Sequence, residues 1–362
     1  MKIGILTFHY SRNYGAVLQA YALCELVKSM GHDVELIDYH NNSIVKRKSP
    51  YSFSSFLYSP ITYIRRFFNS YIGHIHTVHV FKRFEQRYLP HSGRILDVCS
   101  LVESKYDCII IGSDQVWNPS LTGGPDPFYW GLSLPKGIRI ITYAVSSGDV
   151  RLMETTEFRD VGIWLERFNS ISVRERRLKD YVECHSNKQV SVVLDPVLLV
   201  GKEMFDKISC QRIVDSSYIL LYRVEQNSNF MDIAKKVAML YNAKIVYVSQ
   251  GSLTKMINHG GVTYKNASVT ELISLIKYAE CVVALSFHGT ALSLLFEKDF
   301  YSVKGGNMSR VEEILMKCDL TSRIVSSPDD VKKEIINYSM VKERLDTLRC
   351  ASFDWLQNAL SN

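Results

Sequence analysis

The sequence lacks the cysteine pairs that would hold a structural metal ion or a disulfide framework. Its eight cysteines are scattered over 362 residues, and none of them stands in a Cys-x-x-Cys pair. Several, such as Cys108 and Cys281, lie in apolar runs, where a free cysteine behaves as a small hydrophobic residue. This pattern argues against a zinc ribbon and against a disulfide-rich secreted domain, and it predicts reduced thiols in the cytoplasm.

Long apolar runs and the common cofactor motifs are also missing. No stretch reaches the ~18–20 apolar residues of a membrane-spanning helix, and the apolar part of residues 1–6 is too short for a signal peptide. The sequence has no Gly-x-Gly-x-x-Gly after its first strand, no Walker loop and no Gly-x-Ser-x-Gly elbow. We therefore expect no resident cofactor and no metal ion.

The sequence does contain strand and helix patterns that alternate along most of its length. At 362 residues the chain is too long for a single ordinary hydrophobic core. The alternation predicts an α/β fold of two Rossmann-like, doubly wound domains with a central cleft. We place the first domain at 1–197, the second at 198–326, and C-terminal helices at 327–362 that can pack back on the first domain. One helix is predicted over 154–168, and a capping box at Ser327 predicts that a long C-terminal helix begins there.

Residues 44–100 form a basic, aromatic insertion. Between Ile44 and Cys99, nine lysines and arginines stand against two acidic residues, a net charge of +7 in a chain whose total is +6. Such a segment can touch an anionic membrane surface or an acidic ligand, or it can be a helical lid with solvated cations and an aromatic core. Nucleic acid is disfavoured because no binding motif accompanies the charge. The nearby histidines lack cysteine or carboxylate neighbours at ligand spacing, so they predict no metal site; they are His74, His76 and His79.

The most informative segment is Ser-Phe-His-Gly-Thr at residues 286–290, between an apolar strand pattern and a helix pattern. In open α/β sheets, ligands bind at such strand-to-helix turns, and the helix N-terminus attracts anions. His288 can donate a proton or hold a phosphate there, with Ser286, Gly289 and Thr290 forming the rest of the turn. The alternative is a capping histidine in an ordinary turn.

Two further polar segments follow predicted strands. The loop of residues 7–13 leads into a helix for which Asn13 is a plausible N-cap, and this loop is either a ligand-binding loop or a simple capped turn. Residues 112–119 place Asp114, Gln115 and Trp117 just beyond an apolar strand, an arrangement that resembles a carbohydrate-binding edge. Carboxylate and amide groups bind sugar hydroxyls, and an indole stacks on a pyranose ring. The alternative is a turn with Trp117 in the core.

Two arginines at helix starts indicate an anionic substrate. Arg174 ends a short strand, and its guanidinium can fork onto a carboxylate or phosphate or form a surface pair with Glu175. Arg310 lies in the first turn of a helix that follows the glycine-rich loop 305–309. Together with His288, these arginines would surround a small dianion.

These segments, in this order, resemble the polysaccharide pyruvyl transferase family. The matching stretches are residues 13–21, 112–119, 172–175, 195–196 and 286–290, within roughly residues 1–320. The resemblance implies a glycosyltransferase-B-like pair of Rossmann-type domains. It also implies transfer of pyruvyl from phosphoenolpyruvate onto two hydroxyls of a sugar, or of a lipid-linked oligosaccharide, with Arg174 and His288 contacting phosphoenolpyruvate and the Asn13 and Asp114 loops facing the acceptor. Where the family has an acidic residue before the histidine turn, this chain has Ala284 and Leu285.

In that chemistry, His288 is the candidate acid and Asp114 or Glu175 the candidate base, with Arg310 and the helix start at Thr290 supplying positive charge. No metal and no cofactor besides phosphoenolpyruvate as co-substrate is required. Two other hypotheses stay open at this point: a sugar-nucleotide-dependent glycosyltransferase on the same architecture, and a non-catalytic, membrane-peripheral subunit of a polysaccharide assembly complex.

Overall fold

A computed structural model of the 362-residue chain describes residues 1–47, 77–94, 101, 105–223, 229–249, 262–265, 267–306 and 308–361. Contacts divide the chain into two compact units. The first contains the beginning of the chain, residues 85–200 and Leu345–Asn362. The second contains Gly201–Arg344 and, of the described residues before it, residues 77–84. Within the described residues, no helix is both long and apolar enough to cross a membrane.

The first unit is built on a seven-stranded, all-parallel sheet in the order β3-β2-β1-β4-β5-β6-β7. Its strands are β1 (Lys2–Leu6), β2 (Asp33–Asp38), β3 (His91–Arg94), β4 (Cys108–Asp114), β5 (Arg139–Val145), β6 (Ser170–Val173) and β7 (Val190–Val192). Every residue of β4 is buried. This burial explains its nearly continuous apolar sequence, since helices cover both faces of a parallel sheet.

The second unit repeats the plan with a six-stranded parallel sheet in the order β10-β9-β8-β11-β12-β13. Its strands are β8 (Tyr218–Arg223), β9 (Lys244–Ser249), β10 (Val262–Lys265), β11 (Cys281–Leu285), β12 (Asp299–Val303) and β13 (Ile324–Val325). In both sheets the first three strands of the unit extend to one side and the later ones to the other. This is the Rossmann strand order, and it confirms two doubly wound α/β units.

The helices connect the strands and begin at recognisable caps. The α-helices are Tyr14–Ser29, Asn42–Arg47, 77–88, Pro119–Thr122, Val161–Leu165, Arg176–His185, Pro196–Leu199, Lys202–Asp206, Phe230–Tyr241, Val269–Lys277, Phe287–Leu295, Ser309–Lys317 and Tyr338–Ser361. The capping box predicted at Ser268 is present, with Glu271 bonding the Ser268 backbone N–H in return. Gly31 has a φ of +85° immediately after the first long helix, as its C-terminal position requires.

Two predicted helices are wrong in extent. The helix expected over 154–168 is replaced by a 3₁₀ turn at Thr156–Phe158 and a short helix at Val161–Leu165. Thr155 is extended before the turn, and Asp160, with φ −97° and ψ 12°, interrupts the helical backbone before Val161. The C-terminal helix begins at Tyr338 and not at Ser327. Asp330 accepts hydrogen bonds from the backbone N–H groups of both Ser326 and Ser327, and these bonds close a local 3₁₀ turn instead of starting a long helix.

The C-terminal helix is attached to the first unit by polar contacts. Ser352 Oγ accepts a hydrogen bond from Leu194 N at 3.0 Å, and Arg349 Nε donates to Leu198 O at 2.8 Å. The first unit therefore ends in sequence at Val200 and regains residues from Leu345 onwards.

Most of the basic, aromatic insertion lies outside the described residues, including Arg65, Arg66, His74 and His76. Lys82 and Arg83 lie on the helix over 77–88 and are exposed, and Arg83 hydrogen-bonds the exposed His79. The membrane or lid role of this segment stays a prediction.

Candidate functional site

Each sheet carries its polar segments where the strand order reverses. In the first unit β1 and β4 are neighbours, and residues 7–13 and 115–118 follow them at the same edge. In the second unit β8 and β11 are neighbours, and residues 286–290 follow β11. Ligands of doubly wound sheets bind at such reversal points. The predicted site residues of each unit therefore stand at the expected edge of its own sheet.

Arg174 lies in a buried polar network in the first unit. Its side chain is 2% exposed, and its Nη2 lies 2.8 Å from Asp195 Oδ2 and 3.0 Å from Ser113 Oγ. Ser113 Oγ in turn donates to Gln19 Oε1 at 2.9 Å, and Gln19 Nε2 donates to Thr7 Oγ1 at 2.9 Å. The predicted alternative of a surface Arg174–Glu175 pair is therefore wrong.

Asp114 is the most exposed member of this network, although its side chain is only 12% exposed. One of its carboxylate oxygens is 3.9 Å from Arg174 Nη1 and also accepts a hydrogen bond from Gln115 N at 2.8 Å. Its φ is +81°, an uncommon conformation for a residue with a side chain. Gly112, two residues earlier, has no room for a Cβ, which would lie 2.4 Å from Tyr143 O. The end of β4 is thus shaped to hold one carboxylate against a guanidinium.

Trp117 does not lie at an open edge, so the expectation of an exposed, sugar-stacking indole is wrong. The residue is 1% exposed, its ring stacks on Trp130 at 4.3 Å between centroids, and its Nε1 donates to Tyr129 O at 2.8 Å. Both the face and the polar edge of the indole are used inside the core. Gln115 is half-buried, and its side-chain oxygen accepts from Asn118 Nδ2 at 2.7 Å.

Asn13 and Glu175 each have a defined structural partner. Asn13 caps the helix Tyr14–Ser29, and its Oδ1 accepts from Gly15 N at 2.9 Å. Glu175 is 3% exposed and its Oε1 accepts from Ser146 Oγ at 2.8 Å and from Ser147 N at 3.3 Å. Asn13 is half-buried at the loop where an acceptor is expected, whereas Glu175 is enclosed.

The histidine turn of the second unit is a capped helix start. Ser286 Oγ accepts a hydrogen bond from Gly289 N at 3.1 Å, so the helix Phe287–Leu295 begins directly after β11. A Cβ on Gly289 would lie 2.6 Å from the Tyr222 ring and 2.8 Å from the Ala284 Cβ. The glycine therefore lets the helix approach the sheet closely.

His288 and Arg310 both lie next to the ring of Phe287. The rings of Phe287 and His288 meet edge to face at 5.2 Å between centroids, and Arg310 Cζ lies 5.7 Å from the centroid of Phe287. Thr290 is fully buried and shares a 2.7 Å hydrogen bond with Ser302 Oγ of β12. Thr290 thus fixes the helix start, while an imidazole and a guanidinium stand beside it.

A second cluster of titratable groups, which the motifs did not indicate, lies near the carboxyl ends of β1 and β2 and the first residue of β3. Hydrogen bonds from His40 and His9 hold the pKa of Asp38 well below its usual range. Burial lowers the pKa of His9, and burial together with the neighbouring His9 lowers the pKa of His91 to about 4. The sequence signal for this cluster was the presence of histidine or aspartate directly after neighbouring strand patterns.

The two Rossmann-type sheets and their polar reversal points define an α/β protein of the glycosyltransferase-B fold class. UDP-N-acetylglucosamine 2-epimerase from Rickettsia bellii aligns over 98% of this chain and 97% of its own, with a TM-score of 0.51 and 11% identity. The S. aureus MnaA–UDP co-structure aligns over 97% of this chain and 90% of its own, with a TM-score of 0.51 and 12% identity. At these identities the likeness shows the fold alone.

The model of the polysaccharide pyruvyl transferase family matches residues 13–305. The chain belongs to this family, as the ordered motifs indicated. The match includes Asn13, Asp114, Arg174 and His288, and it ends before Arg310. No curated protein matches the chain.

Proposed function

We propose that the protein transfers pyruvyl from phosphoenolpyruvate onto two hydroxyls of one sugar in a cell-surface polysaccharide or its lipid-linked precursor. The product is a cyclic pyruvate ketal, and phosphate is released. The observation that carries the proposal is the place of His288: the first turn of a helix at the reversal point of the second sheet, inside the family match. The scheme uses phosphoenolpyruvate as co-substrate and needs no other cofactor.

The second unit supplies the positive charge for the donor. Phosphoenolpyruvate carries a carboxylate and a phosphate, and the start of the helix Phe287–Leu295 favours negative charge. Arg310 stands beside the first residue of this helix and adds a full positive charge. We assign Arg310 and the Ser286 hydroxyl to the donor. The Gly289 N–H already donates to Ser286 Oγ, so we assign Gly289 and Thr290 to holding the turn in place.

His288 is the proposed general acid. A proton given to the methylene carbon of phosphoenolpyruvate makes a methyl group and leaves an oxocarbenium-like centre on the adjacent carbon. One sugar hydroxyl attacks that centre and loses its proton; the second hydroxyl then replaces the phosphate, which leaves with its bonding electrons. Over the whole reaction, one hydroxyl proton is found in the methyl group and the other on phosphate. His288 is 8% exposed, so water is largely kept away from this transfer.

Asp114 is the better of the two proposed bases. The Glu175 residue is 3% exposed and its carboxylate accepts hydrogen bonds from Ser146 and Ser147. The Asp114 side chain is 12% exposed, and it follows the strand next to the one that leads into the Asn13 loop. The buried contacts also change the role expected for Arg174. Its guanidinium is compensated by Asp195 and Asp114, so we propose that Arg174 positions Asp114 and that Arg310 is the arginine that binds the donor.

The test is a reaction of purified protein with phosphoenolpyruvate and candidate acceptor glycans, followed by phosphate release and by the ketal methyl signal in proton NMR. His288→Gln should lower the rate by ~10²–10⁴-fold, the usual contribution of a positioned acid. His32→Gln is the matched control, because His32 precedes β2 at the opposite edge of the first sheet. Release of a nucleoside diphosphate from a sugar nucleotide, with no ketal from phosphoenolpyruvate, would show a glycosyltransferase instead.

A further inference from the structure

Three histidines and an aspartate meet near the carboxyl ends of β1 and β2, where the short parallel strand β3 begins. His9 lies in the loop after β1, Asp38 is the last residue of β2, His40 follows two residues later, and His91 is the first residue of β3. The Nε2 atoms of His40 and His9 lie 2.7 Å and 3.3 Å from the same oxygen, Asp38 Oδ1. The His9 and His91 rings are 5.1 Å apart between centroids.

The two contacts of His9 cannot both be satisfied by a neutral imidazole. Its Nδ1 lies 3.2 Å from the backbone oxygen of Thr7, and its Nε2 faces Asp38 Oδ1. A neutral ring carries one N–H, so one of its nitrogens would direct a lone pair at an oxygen. The conflict disappears if the ring is a cation, or if a metal cation lies between Nε2 and the carboxylate. Both nitrogens of the buried His9 ring therefore face oxygen atoms, and a cation between Nε2 and Asp38 Oδ1 satisfies this arrangement.

We propose that His9, Asp38 and His40 bind a divalent transition-metal ion of the Zn²⁺ class. The ligand atoms of these three residues all lie within 4.8 Å of one another. Around a tetrahedral ion with bonds of about 2.0–2.1 Å, ligand atoms are about 3.3 Å apart. The His9–Asp38 distance already has this value. His40 must withdraw slightly from Asp38, and its partial exposure leaves room for this movement.

Neighbouring groups orient both histidine ligands. The Thr7 carbonyl accepts the Nδ1–H of His9 and thereby directs the Nε2 lone pair towards Asp38, the usual arrangement behind a metal-bound histidine. The Tyr10 ring stacks on His40 at 4.1 Å with an interplanar angle of 13°. Two imidazoles and one carboxylate select ions such as Zn²⁺ over Mg²⁺ or Ca²⁺, which prefer oxygen ligands.

Three protein ligands leave a fourth position of a tetrahedral ion open. Asp38 and His40 have side chains 25% and 23% exposed, so that position faces the solvent side of the cluster. The ion would join the loop of residues 7–13, which carries the helix cap Asn13, to the end of β2. This inference does not rest on the proposed transfer reaction, which uses no metal, and it differs from the sequence-based expectation of a metal-free protein.

The test uses the full chain after treatment with a chelator and removal of that chelator. Calorimetric titration with Zn²⁺ should show one ion per chain, and titration with Mg²⁺ should show no binding. Co²⁺ bound in place of Zn²⁺ should give the strong visible absorption of a tetrahedral site. Asp38→Asn and His40→Gln should each weaken Zn²⁺ binding by about 100-fold or more, since even loss of an outer hydrogen-bond partner costs 10–100-fold. His185→Gln is the matched control, because that histidine bonds Tyr181 O elsewhere in the first unit.

Two results would overturn the inference: no stoichiometric Zn²⁺ binding by the wild type, or equal binding by the wild type and both ligand variants. Far-UV circular dichroism and thermal melting identify a variant that has merely lost its fold. His40→Gln, at a part-exposed position, is the safer variant in this respect.

Discussion

The two units place very different chemistry at the same topological position. At the reversal point of the first sheet, a buried arginine is compensated by two carboxylates and joined to serine, glutamine and threonine. At the reversal point of the second sheet, one serine caps an apolar helix, and a histidine and an arginine stand beside its first turn. The fold determines where a ligand can bind, and the side chains determine which charge is offered to it.

The first unit therefore uses its buried charges to hold side chains in place, whereas the second unit offers positive charge to a ligand. In the first unit the positive charge of Arg174 is matched internally, so the network holds Asp114 in place and offers no surplus cation. In the second unit Arg310 lies beside the first residue of the helix Phe287–Leu295, and a helix start with a guanidinium next to it suits an incoming anion. We therefore expect substitutions at the first reversal point to reduce mainly stability and substitutions at the second to reduce mainly activity.

The largest effect is expected for Asp195→Ala in the first unit. The change leaves the Arg174 side chain, 2% exposed, without its closest carboxylate, and removing one member of a buried ion pair costs about 3–5 kcal/mol. Urea unfolding followed by fluorescence should show the loss in the transition of the first unit.

Asp160→Ala is the control for this prediction, because the Asp160 side chain is 51% exposed and pairs with an exposed arginine. The double variant Arg174→Met/Asp195→Leu should recover much of the lost stability, since it removes both charges together. A loss below about 1 kcal/mol for Asp195→Ala would contradict the assigned role of the pair.

A smaller effect is expected for Gly289→Ala in the second unit. The added methyl would collide with the Tyr222 ring and with Ala284 of β11, so the helix start must move away from the sheet. Overpacking of this kind costs about 1–3 kcal/mol, partly offset by the better helix propensity of alanine, about 1 kcal/mol. The transfer rate should fall by a larger factor than the loss of unfolding free energy alone would cause, because His288 moves with the helix.

Gly93→Ala serves as the comparison, since a Cβ at Gly93 meets nothing within 4 Å. Transfer activity and unfolding midpoints of the two variants should be measured on the same preparations. Unchanged activity of Gly289→Ala would mean that the close packing of this turn is unrelated to function.

Local patterns predicted most of the fold, because parallel strands are apolar runs and their order follows from alternation with helices. The position of His288 was predicted for the same reason. The environment of Trp117 was not, because its stacking partner Trp130 belongs to a later loop that no local pattern relates to it. Likewise, the partners Ser113 and Asp195 come to Arg174 from other strand ends, and the pairing of separate strands decides whether a charge is compensated.

The smallest effect is expected for the alkylation rates of buried cysteines, which measure how often each unit opens. Burial raises the pKa of Cys24 and Cys108 to about 12, and it also raises the pKa of Cys281. These groups stay protonated in the folded protein, so they resist alkylation at pH 8, while the exposed Cys184 and Cys350 react. As the pH rises above about 9, unfolded thiols ionise and folded ones do not, so these cysteines progressively destabilise the fold in that range.

Mass spectrometry after timed alkylation at pH 8 checks this prediction and sharpens the comparison between the units. Cys24 and Cys108 belong to the first unit and Cys281 to the second. Asp195→Ala should speed the modification of the first two and leave Cys281 unchanged, whereas Gly289→Ala should do the reverse. Equal acceleration of the alkylation of all three cysteines in either variant would show that the two units open together. The reversal points would then differ in the charge they offer to a ligand but not in the stability of their units.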